Sequence, residues 1–453
     1  MIPAAQPVVN TPPRAVGPDD RSAGYYQSHA CTWQFTVGDA DRVPTVASVT
    51  RGSAVRRPVP VLLALAVGLG LVGGCSSAAQ QPAAHPAQRD TGPARVADVD
   101  QSPSRPLPLN VYSHIAPGMM NPKWASDPYR IYVPNSLSDT VTEIDPHTHK
   151  IIRTFAVGGQ PNHITPSWNG SVLWVNNTDG YSLTPISPKT GEPGRPVPVD
   201  DPYNLYFTPE GKNAMVMAEA LARIDFRNPR TMRLRYSMPV PCAGVNHMDF
   251  TADGRYAVAS CEFSAKLLWI NIKARKVVKT LTLGTAMSAP MGGGAGPGHP
   301  YSMPQDVRLS ANGKIFYVAD MAANGIWLID AHRFKVIRFL HTGAGTHGFM
   351  VSRDGKYLYI SNRGEGSISV LDFATNELVH KWRIPGGGSP DMGGVSPNGK
   401  QMWWSGRYNG VVYEMSTVNG HLLAEIPVGA GPHGLCVFPQ PGRYSLGHTG
   451  NFR

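Results

Sequence analysis

Apolar and polar residues alternate along most of this chain in short runs, broken every few residues by Asp, Asn or Gly. The stretch HGFMVSRDGKYLYISNRGEGSISVLDFATNELVHKWRI, from His347 to Ile384, displays the unit most plainly. Gly348 to Val351 is an apolar run, and a tight turn follows at Arg353-Asp354-Gly355-Lys356. Tyr357 to Ile360, Ser367 to Leu371 and Leu378 to Ile384 come next, separated by Asn362-Arg363-Gly364 and Ala374-Thr375-Asn376. Runs rich in β-branched and aromatic residues between such turn formers predict four strands in a meander. The turn glycine supplies a positive φ without steric cost.

Matching turn glycines stand at Gly170, Gly211, Gly254, Gly313, Gly355 and Gly399. They lie about 40 to 45 residues apart except for one longer interval, and a four-stranded repeat of that length is a propeller blade. The longer interval holds an insertion, residues 285–303. Tyr129 to Asn135, Asp139 to Asp145 and Ile151 to Val157 lack an inner strand, and His433 to Phe438 is an inner strand without a blade. Together they complete a blade. The prediction is an all-β, seven-bladed β-propeller of four-stranded blades over residues 109–453, with its ring closed by pairing of N- and C-terminal segments. Such closure removes the open edges. Tyr444 to His448 also has the pattern of a second strand and competes with Arg130 to Asn135, or else caps the closure. Asn110 to Met120 has no place in a blade.

The second strands IYVPN, LWVNN, IFYVAD and YLYISN, with the SPNGK and SRDGK turns, resemble the YVTN family of β-propeller repeats from about Tyr129 to Phe438. The resemblance implies a fold and leaves the chemistry open. Similar-looking propellers include metal-assisted lactonases and lyases and cofactor-bearing oxidoreductase subunits. An enzyme of that kind is the alternative to a binding protein.

Composition agrees with this architecture. Charged residues make up 16% of the chain, against 48 glycines and 42 prolines, which suits short strands joined by turns. The formal net charge of +10 is spread without a Lys/Arg run or an aromatic ladder, so nucleic acid is not an expected partner. The N-terminal part is different. Arg56-Arg57 precedes the apolar run VPVLLALAVGLGLVGG and Cys75, which gives residues 55–74 the form of a lipoprotein signal peptide. Val72-Gly73-Gly74-Cys75 resembles a lipobox, in which Cys75 takes the lipid. Residues 1–54 are then an over-extended start or a leader, and 75–108, rich in Ala, Pro, Gln and Ser, a flexible tether. The expected protein is exported, held at the outer face of the membrane by its lipid and monomeric.

Chemistry is expected at one face of the disc, where inner strands begin and second strands end. Counting back from each turn places Asn162, Tyr203, Asn246, Gln305, His347 and Asp391 at one level of the channel, and His433 joins them in the closing blade by its Pro-His-Gly context. His163, Asn204, His247, Asp306, Gly348, Met392 and Gly434 form the next level. The second-strand ends add Asn135, Asn176, Glu219, Glu262, Asp320, Arg363 and Arg407. Such residues either hold ordered water at a wet channel mouth or bind a ligand. His163, His247, His347 and His433 with Asp306 and Asp391 are the residue types that hold divalent metals. In the insertion, Met287, Met291, His299 and Met303 have the softness copper prefers, and the loop is also placed to act as a lid. Cys242 and Cys261 are placed for a disulfide, with metal binding beside His247 as the alternative. No CxxCH, HExxH, GxSxG or phosphate-binding glycine loop occurs, so the expected function is binding of a small ligand, a metal or a protein partner at the channel mouth.

Overall fold

A computed structural model describes residues 109–286 and 301–453. Seven four-stranded antiparallel sheets surround a central channel. Six are built from consecutive strands, with inner strands Pro161–Pro166, Pro202–Phe207, Val245–Phe250, Pro304–Leu309, Thr346–Val351 and Pro390–Val395. They are called blades one to six below. Blade seven joins the inner strand Cys436–Phe438 to Arg130–Asn135, Thr140–Asp145 and Lys150–Ala156. Its closure register pairs Ile131 with Val437 and Tyr132 with Cys436. A short parallel pair, Thr285–Ala286 with Tyr301–Ser302, stands at the foot of the insertion.

The apolar core lies between blades, because both faces of each inner sheet region are covered by neighbours. Met402, Trp404 and Tyr413 of blade six pack with Tyr359, Ile368 and Val370 of blade five. Trp403 and Val412 pack on the other side with Ile131, Val133, Leu435 and Val437 of blade seven. Outer strands alternate between exposed and half-buried residues, as in Glu377–Arg383. This is the pattern of a sheet with one wet face.

The face bearing the turn glycines is closed by two segments that the repeat pattern does not contain. Residues 109–127 run beneath blades four to one. Leu109 approaches Gly313, Tyr112 approaches Gly355, Pro117 approaches Gly399 and Trp124 lies against Gly170. Gly170, at φ 69°, is obligatory twice over, since any side chain there would collide with the Trp124 ring. Trp124 Nε1 also donates to the Gln440 carbonyl at 2.9 Å.

The C-terminal tail covers the remaining part of this floor. Tyr444 stacks on Trp168 at 5.6 Å, Ser445 Oγ donates to the Pro166 carbonyl, and Arg453 reaches Asp249 at 2.8 Å. Tyr444 to His448 is therefore not a second strand and does not compete with Arg130–Asn135. Its backbone instead pairs with Tyr206 through Gly447 and carries His448 up into the channel.

Candidate functional site

Side chains enter the channel because the inner strands do not keep a strict alternation. In blade three, Val245 pairs with Cys261 and the next partner of the strand is Met248 with Ala259, so the register shifts across Asn246 and His247. Equivalent shifts follow Pro161, Pro202, Pro304, Thr346 and Pro390. A bulge re-aims side chains that a regular strand would send to opposite faces. Here it repeats at the same level in six blades.

The polar level above the floor is a cluster of imidazoles. His163, His247 and His448 are fully buried, and one ring nitrogen from each lies within 4.8 Å of the other two. Gly434 makes room for this, since a Cβ there would occupy the place of the His163 ring. His163 Nδ1 is 2.9 Å from the Tyr203 carbonyl, which fixes its proton on Nδ1 and leaves Nε2 without a partner. Neither nitrogen of His247 has a partner. His448 Nδ1 contacts the Asn204 amide at 3.1 Å, while its Nε2 is free and 3.6 Å from Asp306 Oδ2. That separation is too long for a hydrogen bond. Burial, reinforced by the neighbouring imidazoles, holds His163 and His247 well below the usual histidine range, so both rings are neutral.

A second group sits beside the first. Asp391 lies between His347 and His433, each Nδ1 at 2.6 Å from one carboxylate oxygen. Arg363 approaches the same carboxylate at 3.3 Å. Burial alone would raise Asp391, but His347, Arg363 and His433 together outweigh it and hold the carboxyl well below its ordinary value. His433 is lowered to about 3, chiefly by burial. Five of the six metal-type residues read from the sequence thus divide between two groups. His163 and His247 join His448, whereas His347 and His433 belong to Asp391.

Asp306 belongs to neither as a free ligand. It accepts from the Val307 and Phe349 amides and pairs with Arg308 at 3.2 Å. His448 was not among the candidates, because its local sequence reads as the end of a second strand and does not show that the tail turns into the channel. Asn176 stands one residue inside the strand end, which Asn177 occupies, and both polar atoms of its buried amide lack partners.

The channel mouth is lined by the residues that follow the second strands: Ser136, Thr178, Glu219, Glu262, Met321, Arg363 and Arg407. Asn246 Nδ2 donates to Glu262 at 2.8 Å. Arg407 donates to Ser136 Oγ at 2.7 Å and to the Gly431 carbonyl. Arg363 lies 5.4 Å from the ring of Tyr408, which is 65% exposed. Cys242 and Cys261 form a disulfide beside Glu262, so their sulfurs do not serve as metal ligands in this state. Met303 N donates to Asp320 at the foot of the insertion. Cys75, Met287, Met291 and His299 lie outside the described residues.

A profile of the YNCE-like β-propellers matches residues 116–230 and 298–443, more than half of the chain. The chain belongs to the YNCE-like β-propeller family. The unmatched stretch between the two segments carries His247, the disulfide and Glu262. No curated protein matches the sequence. Among solved structures, Kuenenia stuttgartiensis hydrazine synthase is 20% identical with a TM-score of 0.53, over 71% of this chain and 99% of that one. A functionally unknown protein from Desulfotomaculum acetoxidans is 13% identical with a TM-score of 0.55, over 68% and 98%. A putative 6-phosphogluconolactonase from Bacteroides uniformis is 16% identical with a TM-score of 0.53, over 68% and 99%. At these identities the likeness is one of fold.

Proposed function

We propose that this YNCE-like propeller binds a divalent transition metal through His163, His247 and His448, and presents it to a small ligand entering from the face opposite the closed floor. One observation carries the reading: His247 is wholly buried, and neither of its ring nitrogens has a partner. Leaving a buried polar group unsatisfied costs about 1–3 kcal/mol. Two further imidazole nitrogens without partners lie within reach, and a metal would satisfy all three at once. Metal ligation also requires neutral imidazole, the form that burial enforces here. Ligation by His448 through Nε2 puts its proton on Nδ1 and gives up the contact with the Asn204 amide, whose oxygen is held by the Leu205 N–H. A site of imidazoles without thiolate suits zinc, nickel, iron or copper. When bound, the metal would supply a Lewis-acidic position at the base of the channel.

Metal analysis of untagged protein tests the reading. One equivalent is expected in the wild type, none in a His163→Ala/His247→Ala variant, and full occupancy in His347→Ala. Wild-type protein that takes up no zinc, nickel, iron or copper would overturn it.

The same reading places the protein outside the cytoplasm, anchored through a lipid on Cys75. The Cys242–Cys261 disulfide supports an oxidising compartment. Cys75→Ala is expected to move the chain out of the membrane-bound lipoprotein fraction, and identical processing of both forms would remove the anchor from the reading.

A further inference from the structure

The mouth ring contains four ionisable groups in two opposed pairs. Glu219 and Glu262 come from adjacent blades two and three, and Arg363 and Arg407 from adjacent blades five and six. The remaining ring positions, Ser136, Thr178 and Met321, are uncharged. One side of the opening is therefore anionic and the opposite side cationic, with Tyr203 between them.

Each pair is short of partners. On the cationic side, Arg363 contacts the Asp391 carboxylate, which His347 and His433 also contact, while Arg407 has no carboxylate in hydrogen-bond contact and feels Asp391 only at longer range. Arg363 turns another N–H to the thioether of Met321, a weak acceptor, while Arg407 donates to a hydroxyl and a carbonyl. An arginine fork is suited to a carboxylate, which would accept from both side chains. On the anionic side, no N–H reaches Glu219 Oε1, which is shut off from solvent. Burial, then the charge of Glu262, raises Glu219 well above the usual carboxyl range, so that it carries a proton and shares it with Glu262. An ammonium group has three donors for these two carboxyls.

We infer that the mouth is a receptor site for a small zwitterion of the α-amino acid class, with its carboxylate on Arg363 and Arg407 and its ammonium on Glu219 and Glu262. The inference deepens the reading of this face as the ligand entrance and shares no residue with the three-histidine cluster. A free anion would leave the acid pair with only its shared proton and the Asn246 amide, and a free cation would bring the arginines no second carboxylate. A zwitterion satisfies both and brings no net charge into a buried ring. The exposed Tyr408 ring beside Arg363 offers an apolar surface to the ligand's side chain.

The common L-amino acids are tested one at a time by thermal shift and calorimetry on the full mature chain. Propionate and ethylammonium serve as the two halves of the zwitterion. The measurements are made on chelator-treated protein and repeated on metal-loaded protein, because amino acids themselves chelate metals. At least one amino acid is expected to bind metal-free protein more than tenfold tighter than either half. Arg363→Gln and Glu219→Gln should each weaken it by tenfold or more while leaving metal content unchanged. Arg407 is left intact because it also ties blade six to the closing segment at Gly431. If Arg363→Gln fails to fold, Arg363→Lys keeps the charge but loses the fork, and Glu219→Gln tests the acid pair independently. The inference is overturned if no amino acid binds, if propionate binds as well as the zwitterion, or if both variants bind normally. Binding that appears only with metal loaded and vanishes in His163→Ala/His247→Ala would also overturn it, while leaving the metal reading in place.

Discussion

The two ends of the channel treat buried polar groups in opposite ways. At the floor, each charge meets an opposite charge or a set of hydrogen bonds. Asp249 takes Arg453 at 2.8 Å, Asn451 at 3.2 Å and the amides of Phe250 and Leu309. Arg353 is held by the Ser396 and Val395 carbonyls and by Gln440. Above it, His247 has no partner, His163 and His448 each keep a nitrogen free, and Asn176 has none for its amide. Paired charges mark the floor as a structural closure, although Arg453 and Arg308 each keep one buried Nε without a partner. Unpaired imidazoles at full burial are the observation on which the proposed metal site rests.

Truncation after Gly431 should give the largest effect, because it removes the closing strand, the floor tail and His448 together. Burial of one large apolar side chain contributes about 1.5–3 kcal/mol. Leu435, Val437, Phe438, Leu446 and Phe452 would all be lost from buried positions. Against a typical total of roughly 5–15 kcal/mol, the product should aggregate or be digested readily by protease. Deletion of residues 76–105 should leave the melting transition in place. A soluble, cooperatively melting truncation product would break the closure account.

A pair of substitutions puts the contrast itself to the test. Arg453→Ala leaves the buried Asp249 carboxylate without its ion-pair partner and should destabilise by about 3–5 kcal/mol in denaturant unfolding, with metal stoichiometry retained in the folded fraction. His247→Phe replaces a ring without partners by an apolar ring of similar size. It should abolish metal binding while changing metal-free stability by less than about 1.5 kcal/mol. The reverse pattern, metal lost at the floor and stability lost at the cluster, would invert the assignment of the two levels.

The smallest effect is a slope in pH. In an unfolded chain a histidine takes its proton near pH 6.5. His433 in the fold takes one only near pH 3, mainly because it is buried. Between those values the unfolded state binds more protons, so stability rises with pH and is lost on acidification. The expected contribution is about 1.4 kcal/mol per pH unit within that window. His433→Gln, measured on metal-free protein, should flatten the slope by that amount. An unchanged slope would show that another group carries it.

The sequence by itself determined the repeat. Six turn glycines, the β-branched and aromatic second strands and the two incomplete ends specified seven four-stranded blades and closure through the termini, as observed. These features are legible because strand alternation and turn chemistry are local: a residue's neighbours along the chain are enough to determine them. The entry of His163, His247, His347 and His433 into the channel was legible too, on two successive levels, since three stand at a fixed distance from a turn and His433 matches them by its Pro-His-Gly context. Three things were decided only in the tertiary structure. Residues 109–127 and the tail from Pro439 form the floor, although neither has a blade pattern, because their partners lie in sequence-distant turns such as Gly170 and Gly355. His448 joins His163 and His247 for the same reason. Asp391, not a metal-type cluster of six, organises His347 and His433, because bulges and the diameter of the ring set which side chains meet across the channel. Alternation along a strand fixes which face a residue takes. Distance across a closed ring depends on all seven blades at once.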